Sequence, residues 1–273
     1  MATCASMREI LEGLRISACL ILLTYASWSD YKTREVSNNV WILFAPFALT
    51  LSLVEIYLYS FSPISYGTCF GLTLAFALIL FYSGGFGGAD AKALMCLALA
   101  LPFYPKNLLT PLSREISPIS QAIFPMTVFS NSVLLASATA IYMLAGNMFR
   151  RQTTGEKLFG EKYRNESFGI KLLVLVTGRK VSIDKLKKKW HLYPLEDVED
   201  MESEPKRKLV VLPKDEGRDA MVKRLSKAIA RGKIQNNIWA TPGLPMLIFI
   251  TAGLIIALFF GDIVWTCINF LLG

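Results

Sequence analysis

Residues 66–104 read YGTCFGLTLAFALILFYSGGFGGADAKALMCLALALPFY, and the reading of this stretch decides the fold. Two apolar runs, Tyr66–Ser83 and Ala91–Tyr104, flank a glycine-rich turn that ends in Asp90, with Lys92 two residues on. About 20 apolar residues are enough to cross the hydrocarbon of a bilayer as a helix. Working outward, four more runs approach that length: Leu14–Ser29, Val40–Phe61, Ala122–Met148 and Ile238–Leu272. The sequence therefore predicts a polytopic α-helical membrane protein with six transmembrane helices. The fourth run is short, so Asp90 and Lys92 are expected at headgroup level.

The last run contains Thr241-Pro242-Gly243-Leu244-Pro245. Two prolines three apart break a helix, because each lacks an N–H and clashes with the preceding turn. The spanning helix is expected to start near Pro245, with Ile238–Leu244 as an irregular lead-in. Irregular backbone at membrane depth survives only against protein or a water-filled cavity. Pro242 and Pro245 are thus candidate wall residues of a site.

The chain has 273 residues, 53% of them apolar, and a formal net charge of +8. Its cations are unevenly spread, with 22 of the 29 Lys and Arg between Arg150 and Lys233. This gives three expected parts: a membrane domain 1–149, a cytoplasmic soluble domain 150–237, and 238–273 carrying the Pro-containing lead-in and the sixth span. In the soluble block, Ile170–Thr177 (IKLLVLVT) and Lys208–Leu212 (KLVVL) read as strands. Glu196–Glu204 reads as an acidic loop and Asp215–Arg231 as a helix, together a small α+β domain between helices 5 and 6. Attraction to anionic headgroups explains the basic residues more simply than nucleic acid, for which no aromatic platform is present. Membrane lipid is the expected contact and nucleic acid is not.

The five cysteines are scattered without CxxC spacing, so neither a zinc site nor a disulfide framework is predicted. No metal and no cofactor are expected.

Positive charge on short loops marks the cytoplasmic side. Lys32 and Arg34 follow the first run, Lys92 opens the fourth, and Arg150-Arg151 follow the fifth. The marks alternate consistently, putting both chain ends outside. Arg8, Arg15, Lys106 and Arg114 run against this assignment. A cleavable signal peptide is the rival reading of the first run, but the run leads directly into a charged turn and further spans. Glu55 and Asp262 are expected at the external interface.

Asp30 ends the first run and Asp90 begins the fourth, so both acids fall at one membrane face. Ionisable groups beside hydrocarbon are costly and default to a functional reading. Two carboxylates that share a water resist double ionisation, so one serves as base and the other as acid. The ionised member activates the water and the neutral one protonates a carbonyl oxygen. Gly87, Gly88 and Ala89 leave room for a substrate backbone beside Asp90. Lys32 and Lys92 either act on the neighbouring carboxyls or anchor at headgroups.

Gly87-Gly88-Ala89-Asp90 resembles the GxGD motif of the intramembrane aspartic proteases, the family of presenilin, signal peptide peptidase and the type IV prepilin peptidases. Asp30-Tyr31-Lys32-Thr33-Arg34, with Val36 and Asn38, is similar to the first-aspartate motif of the prepilin peptidase branch. The six-span layout, and Ala89 in place of the second glycine, resemble the archaeal preflagellin peptidases. Thr241–Pro245 is similar to their Pro-containing motif before the last span. The resemblance implies an aspartic endopeptidase of the cell membrane, with Asp30 and Asp90 catalytic. It also implies Gly87, Gly88, Ala89, Lys32, Lys92, Pro242 and Pro245 around the substrate. The implied partners are archaellin or pilin-like precursors with short, basic class III-type leader peptides, cut at the cytoplasmic face. The paired CxxC motifs linked to N-methylation in bacterial relatives are missing, which implies proteolysis without methyl transfer.

Two other classes compete. A proton- or ion-coupled transporter also uses membrane carboxylates, but transporters tend to show inverted repeats and midplane polar groups. A membrane scaffold with a docking module is the third. The acidic loop at Glu196–Glu204 is read as a solvated charge run, with attraction of a basic leader as the functional alternative.

Overall fold

The computed structural model describes residues 2–84, 86–155, 158–160, 163–164, 166–199, 206–210, 217–242 and 245–272. They form two compact units, one of residues 1–136 with 245–273 and one of residues 137–244.

The first unit is helical. It holds α1 (Ala2–Thr33), α2 (Asn38–Tyr59), α3 (Pro63–Tyr82), α4 (Gly88–Ala100), α5 (Pro118–Ala122) and the first part of α6 (Phe124–Thr154). Its last two helices, named below in chain order as α10 and α11, are Met246–Phe259 and Ile263–Leu272. Local chemistry sets several ends. Ser37 caps α2 by accepting from the Asn39 N–H, and Pro63 occupies the first turn of α3, where its missing N–H costs nothing.

α4 is the centre of this unit, packed by α1, α2, α3 and the Met246–Phe259 helix. Ala91, Ala93, Ala98 and Ala100 are buried on it, and side chains that small let four neighbouring backbones approach closely. Its 13 residues rise only about 20 Å, short of the ~30 Å of hydrocarbon. By length and composition four helices are candidate spans, in α1, α2, α3 and α6, and a fifth arises if the last two are counted as one bent span. The predicted run Ala91–Tyr104 is helical only as far as Ala100. Beyond it, residues 101–117 form a folded irregular segment whose backbone is paired: Tyr104 N–H donates to Ser120 O at 3.0 Å and Leu112 N–H to Phe259 O at 2.8 Å.

The predicted sixth helix is broken, with a 58° bend between its two halves. Gly261 at the break has φ +109°, and an added Cβ would lie 2.7 Å from Ser113 Oγ. Only glycine fits that backbone. Asp262 beside it is buried in protein and accepts from Ser117 Oγ at 2.7 Å and Trp265 N–H at 3.0 Å. Glu55 is enclosed as well. It is 5% exposed and bonded by the Arg15 guanidinium and the Tyr66 hydroxyl.

The second unit holds the end of α6, α7 (Phe168–Thr177), β1 (Arg179–Val181), α8 (Ile183–Lys188), β2 (Leu192–Pro194), β3 (Glu196–Glu199), β4 (Lys206–Leu209), α9 (Arg218–Ala230) and β5 (Ile238–Pro242). With these ranges given, the last two helices of the first unit are α10 (Met246–Phe259) and α11 (Ile263–Leu272). β1, β5 and β2 form one antiparallel sheet in that order, with Val181 opposite Ile238 and Pro194 opposite Ala240. β3 and β4 pair antiparallel in a second sheet, with Glu196 opposite Leu209. Leu186, Leu192, Leu225 and Ile238 form its fully enclosed core.

Three expectations are corrected here. Ile170–Thr177 lies within a helix rather than a strand, because Ser167 caps it through the Ile170 N–H; an unbroken apolar run fits either state. Glu196–Glu199 is a strand, not a loop, and residues 200–204 of the expected acidic loop lie outside the described residues. The lead-in at 238–242 is a sheet strand rather than irregular chain, while Gly243 and Leu244 lie outside the described residues. The expected helix at Asp215–Arg231 corresponds to α9. The expected strand at Lys208–Leu212 corresponds to β4, shifted toward the N-terminus.

Glu196 is fully buried. It accepts from the Tyr163 hydroxyl, from Arg207 Nη2 at 2.7 Å and from Trp239 N–H at 3.1 Å. Burial pushes its carboxyl above the ordinary range, and Arg207 pulls it back. A buried, paired carboxylate cannot draw in a basic peptide, so Glu196 drops out of that idea.

Candidate active site

In α1, Leu23, Ala26 and Ser27 are buried and Asp30 follows on the same stripe at helical spacing. In α4, Asp90, Leu94 and Leu97 form the equivalent stripe, which places both acids on core-facing rows. α1 packs directly on α4, Asp30 in the last turn of one and Asp90 in the first turn of the other. The two acids therefore share one end of the unit, each partly buried.

Each end of this site has a local cause. α1 stops where Arg34 takes φ +58° and its N–H donates back to Asp30 O at 2.9 Å. Ser29 and Thr33 hydroxyls both donate to Glu35 O, which folds the outgoing chain against the last turn. At α4 the Gly87 N–H donates to Asp90 Oδ2 at 3.1 Å. A Cβ on Gly87 would stand 3.1 Å from the same oxygen, so the close approach of backbone to carboxylate depends on glycine.

The flanking lysines are held elsewhere. Lys92 Nζ donates to Asn38 Oδ1 at 2.6 Å, tying α4 to the start of α2. Lys32 Nζ lies 4.1 Å from the centre of the Trp28 ring. Among the described residues no ion pair joins either aspartate to a cation. Gly87, Gly88 and Ala89 lead straight into Asp90. Pro245 heads α10, which packs on both α1 and α4. Pro242 ends β5 and belongs to the second unit.

Sequence reading missed the polar fastening between α1 and α10. Ser27 Oγ and Thr251 Oγ1 are 2.7 Å apart, and Thr251 Oγ1 is also within 3.1 Å of Leu23 O. Hydroxyl residues inside apolar runs are the one linear signal for such a contact. The Lys92–Asn38 tie was equally hidden, although both residues sit in the quoted motifs.

Two acids on core-facing rows at one end of a helix bundle, one of them just after a glycine turn, fit the layout of a GxGD aspartic protease. Residues 17–143 match the family described as "Type IV leader peptidase family", and residues 170–263 match "Archaeal Peptidase A24 C-terminus Type II". The chain thus carries a type IV leader peptidase domain followed by an archaeal peptidase A24 C-terminal domain, and it is a protease. The chain is 28% identical to the preflagellin peptidase of Methanococcus voltae over 247 residues, 89% of this chain and 93% of that one. It is 25% identical to the preflagellin peptidase of Methanocaldococcus jannaschii, covering 88% of this chain and 91% of that one. The transporter reading gains no support from these relatives.

Proposed function

We propose that this chain is an aspartic endopeptidase that removes the short basic leader from preflagellin (archaellin) or type IV pilin-like precursors, with Asp30 and Asp90 as its catalytic pair. The observation that carries the reading is the meeting of α1 and α4 with both acids at the same end. A leader peptidase must reach a peptide bond beside a hydrophobic helix, at the edge of the bilayer. Asp30 and Asp90 sit where apolar helices give way to polar turns, which suits that task.

In this reading the ionised carboxyl takes a proton from a shared water, and the neutral one protonates the scissile carbonyl oxygen. Gly87, Gly88 and Ala89 give the substrate backbone room. Lys32, Lys92, Pro242 and Pro245 complete the substrate surround, Lys92 by fixing α4 against α2. The membrane part uses six spans, with α4 as the short fourth and the bent α10–α11 pair as the sixth. The basic block between spans five and six is a cytoplasmic domain near lipid headgroups, and the cut is made at the cytoplasmic face. Charge alternation along the loops supports that orientation.

Membranes carrying wild type, Asp30→Asn or Asp90→Asn, mixed with a preflagellin precursor, test the pair. Each variant should cut at least about a thousandfold more slowly, within the range for losing an acid–base group. Wild-type cleavage by either variant would end the assignment.

A further inference from the structure

At the end of the first unit away from Asp30 and Asp90, a cavity of about 230 Å³ opens between α1, α2 and the segment after α4. Arg8, Arg15 and Lys106 all line it. These are three of the four cations that ran against the loop-charge pattern, and they converge on one hollow. We propose that this cavity binds a phosphate group, that of an anionic phospholipid headgroup being the expected source.

The carboxylates facing the cavity are already engaged. Glu12 accepts from Asn107 N–H at 3.1 Å, from Leu108 N–H at 2.9 Å and from the Asn107 amide, with Arg8 Nε at 3.9 Å. Glu55 is bonded by Arg15 and Tyr66. Against these two acids stand three cations, so the lining keeps a positive surplus. Arg15 is 3% exposed, and its Nε has no hydrogen-bond partner, nor does Arg8 Nε. A buried guanidinium with an unmet donor is costly, which favours an anion nearby.

The cavity is also shaped for a lipid. The Arg8 guanidinium is held 4.9 Å from the Phe61 ring centre and 5.5 Å from that of Tyr59, so its charge is fixed at the mouth. Lys106, also in the lining, is exposed. Phe61 stacks on Phe103 at 6.3 Å with Tyr66 edge-on to both, giving an apolar wall for the start of a lipid's acyl chains. On the proposed orientation the site faces the outer headgroups, and Lys106 is the cation left over once Arg8 and Arg15 are set against Glu12 and Glu55. Nothing in this proposal depends on the catalytic assignment.

The test uses purified full-length protein, delipidated in an uncharged detergent, with short-chain phosphatidylglycerol as probe and diacylglycerol as the phosphate-free control. Native mass spectrometry and thermal midpoints read binding. Wild type should bind phosphatidylglycerol and not diacylglycerol. Arg8→Gln with Lys106→Gln should weaken binding tenfold or more, the size of one or two lost charge-assisted contacts, and Arg8→Lys should restore part of it. Neither variant touches Asp30 or Asp90, so precursor cleavage per folded molecule should stay at the wild-type value, and binding is read against each variant's own ligand-free midpoint. Displacement of the lipid by inorganic phosphate would support the site with a free anion as a second source. Failure of inorganic phosphate to displace it would support the lipid as the sole source. Equal binding of diacylglycerol, or undiminished binding by the double variant, would overturn the proposal.

Discussion

At the end of the first unit that carries Asp30 and Asp90, the polar side chains are partly exposed and lightly tied, Asp90 by a single Gly87 N–H and Lys92 by Asn38. At the opposite end, Glu12, Arg15, Glu55, Tyr66 and Asp262 are buried and bonded to one another or to backbone. Both ends hold acids, yet they put them to opposite uses. An acid enclosed among donors is held in one place and serves as a fastening. An acid at the rim of the core, with few partners, can change protonation and reach for a substrate. Reading membrane acids as a single class of functional residue therefore over-counts, and the number of donors around each acid separates the two classes.

This contrast can be broken most directly at Glu55. Glu55→Ala leaves the Arg15 guanidinium buried without its partner and should cost about 3–5 kcal/mol. Thermal unfolding in detergent would read the loss, and an unchanged midpoint would mean the far end is not the scaffold. Asp262→Asn comes next. It keeps the shape at the α10–α11 break but weakens the bonds from Ser117 and the Trp265 N–H, for about 1–3 kcal/mol, with cleavage per folded molecule unaltered. At the end that carries Asp30 and Asp90 the signs reverse. Gly87→Ala crowds Asp90 Oδ2 and should lower kcat/KM about tenfold, roughly 1.4 kcal/mol of barrier, while stability barely moves. A Gly87→Ala protein that cuts normally would show that Asp90 does not need that approach. Smallest of all, Lys92→Ala removes an exposed tie to a neutral amide and should cost under about 1 kcal/mol, visible as a small fall in the thermal midpoint.

What the linear pattern gave away follows the same division. The long apolar helices of the first unit and the places of Asp30 and Asp90 at their ends were readable, because long apolar runs and acids at their ends are local features. The buried state of Glu55 was not, since its partners are Arg15, 40 residues upstream, and Tyr66 on another helix. The bend at Gly261 was hidden for a related reason: glycine in an apolar run is commonplace, and only Ser113 pressing on it reveals why it is there. In the second unit, Ile170–Thr177 has no period that separates strand from helix, and the Ser167 cap decides for helix. Glu196 looked like part of a solvated acidic run, and only the fold delivers Tyr163, Arg207 and Trp239 to it.

The bond from the Gly87 N–H to Asp90 has one more effect. Asp90 is the third residue of α4 and secures the opening of its own helix, a place where backbone N–H groups lack partners. A carboxyl that swings toward water or gains a proton lets go of that N–H, and the first turn loosens at a cost of about 1 kcal/mol. Fraying of the helix end and release of the acid are then a single equilibrium, which hydrogen exchange at the Gly87 N–H should report.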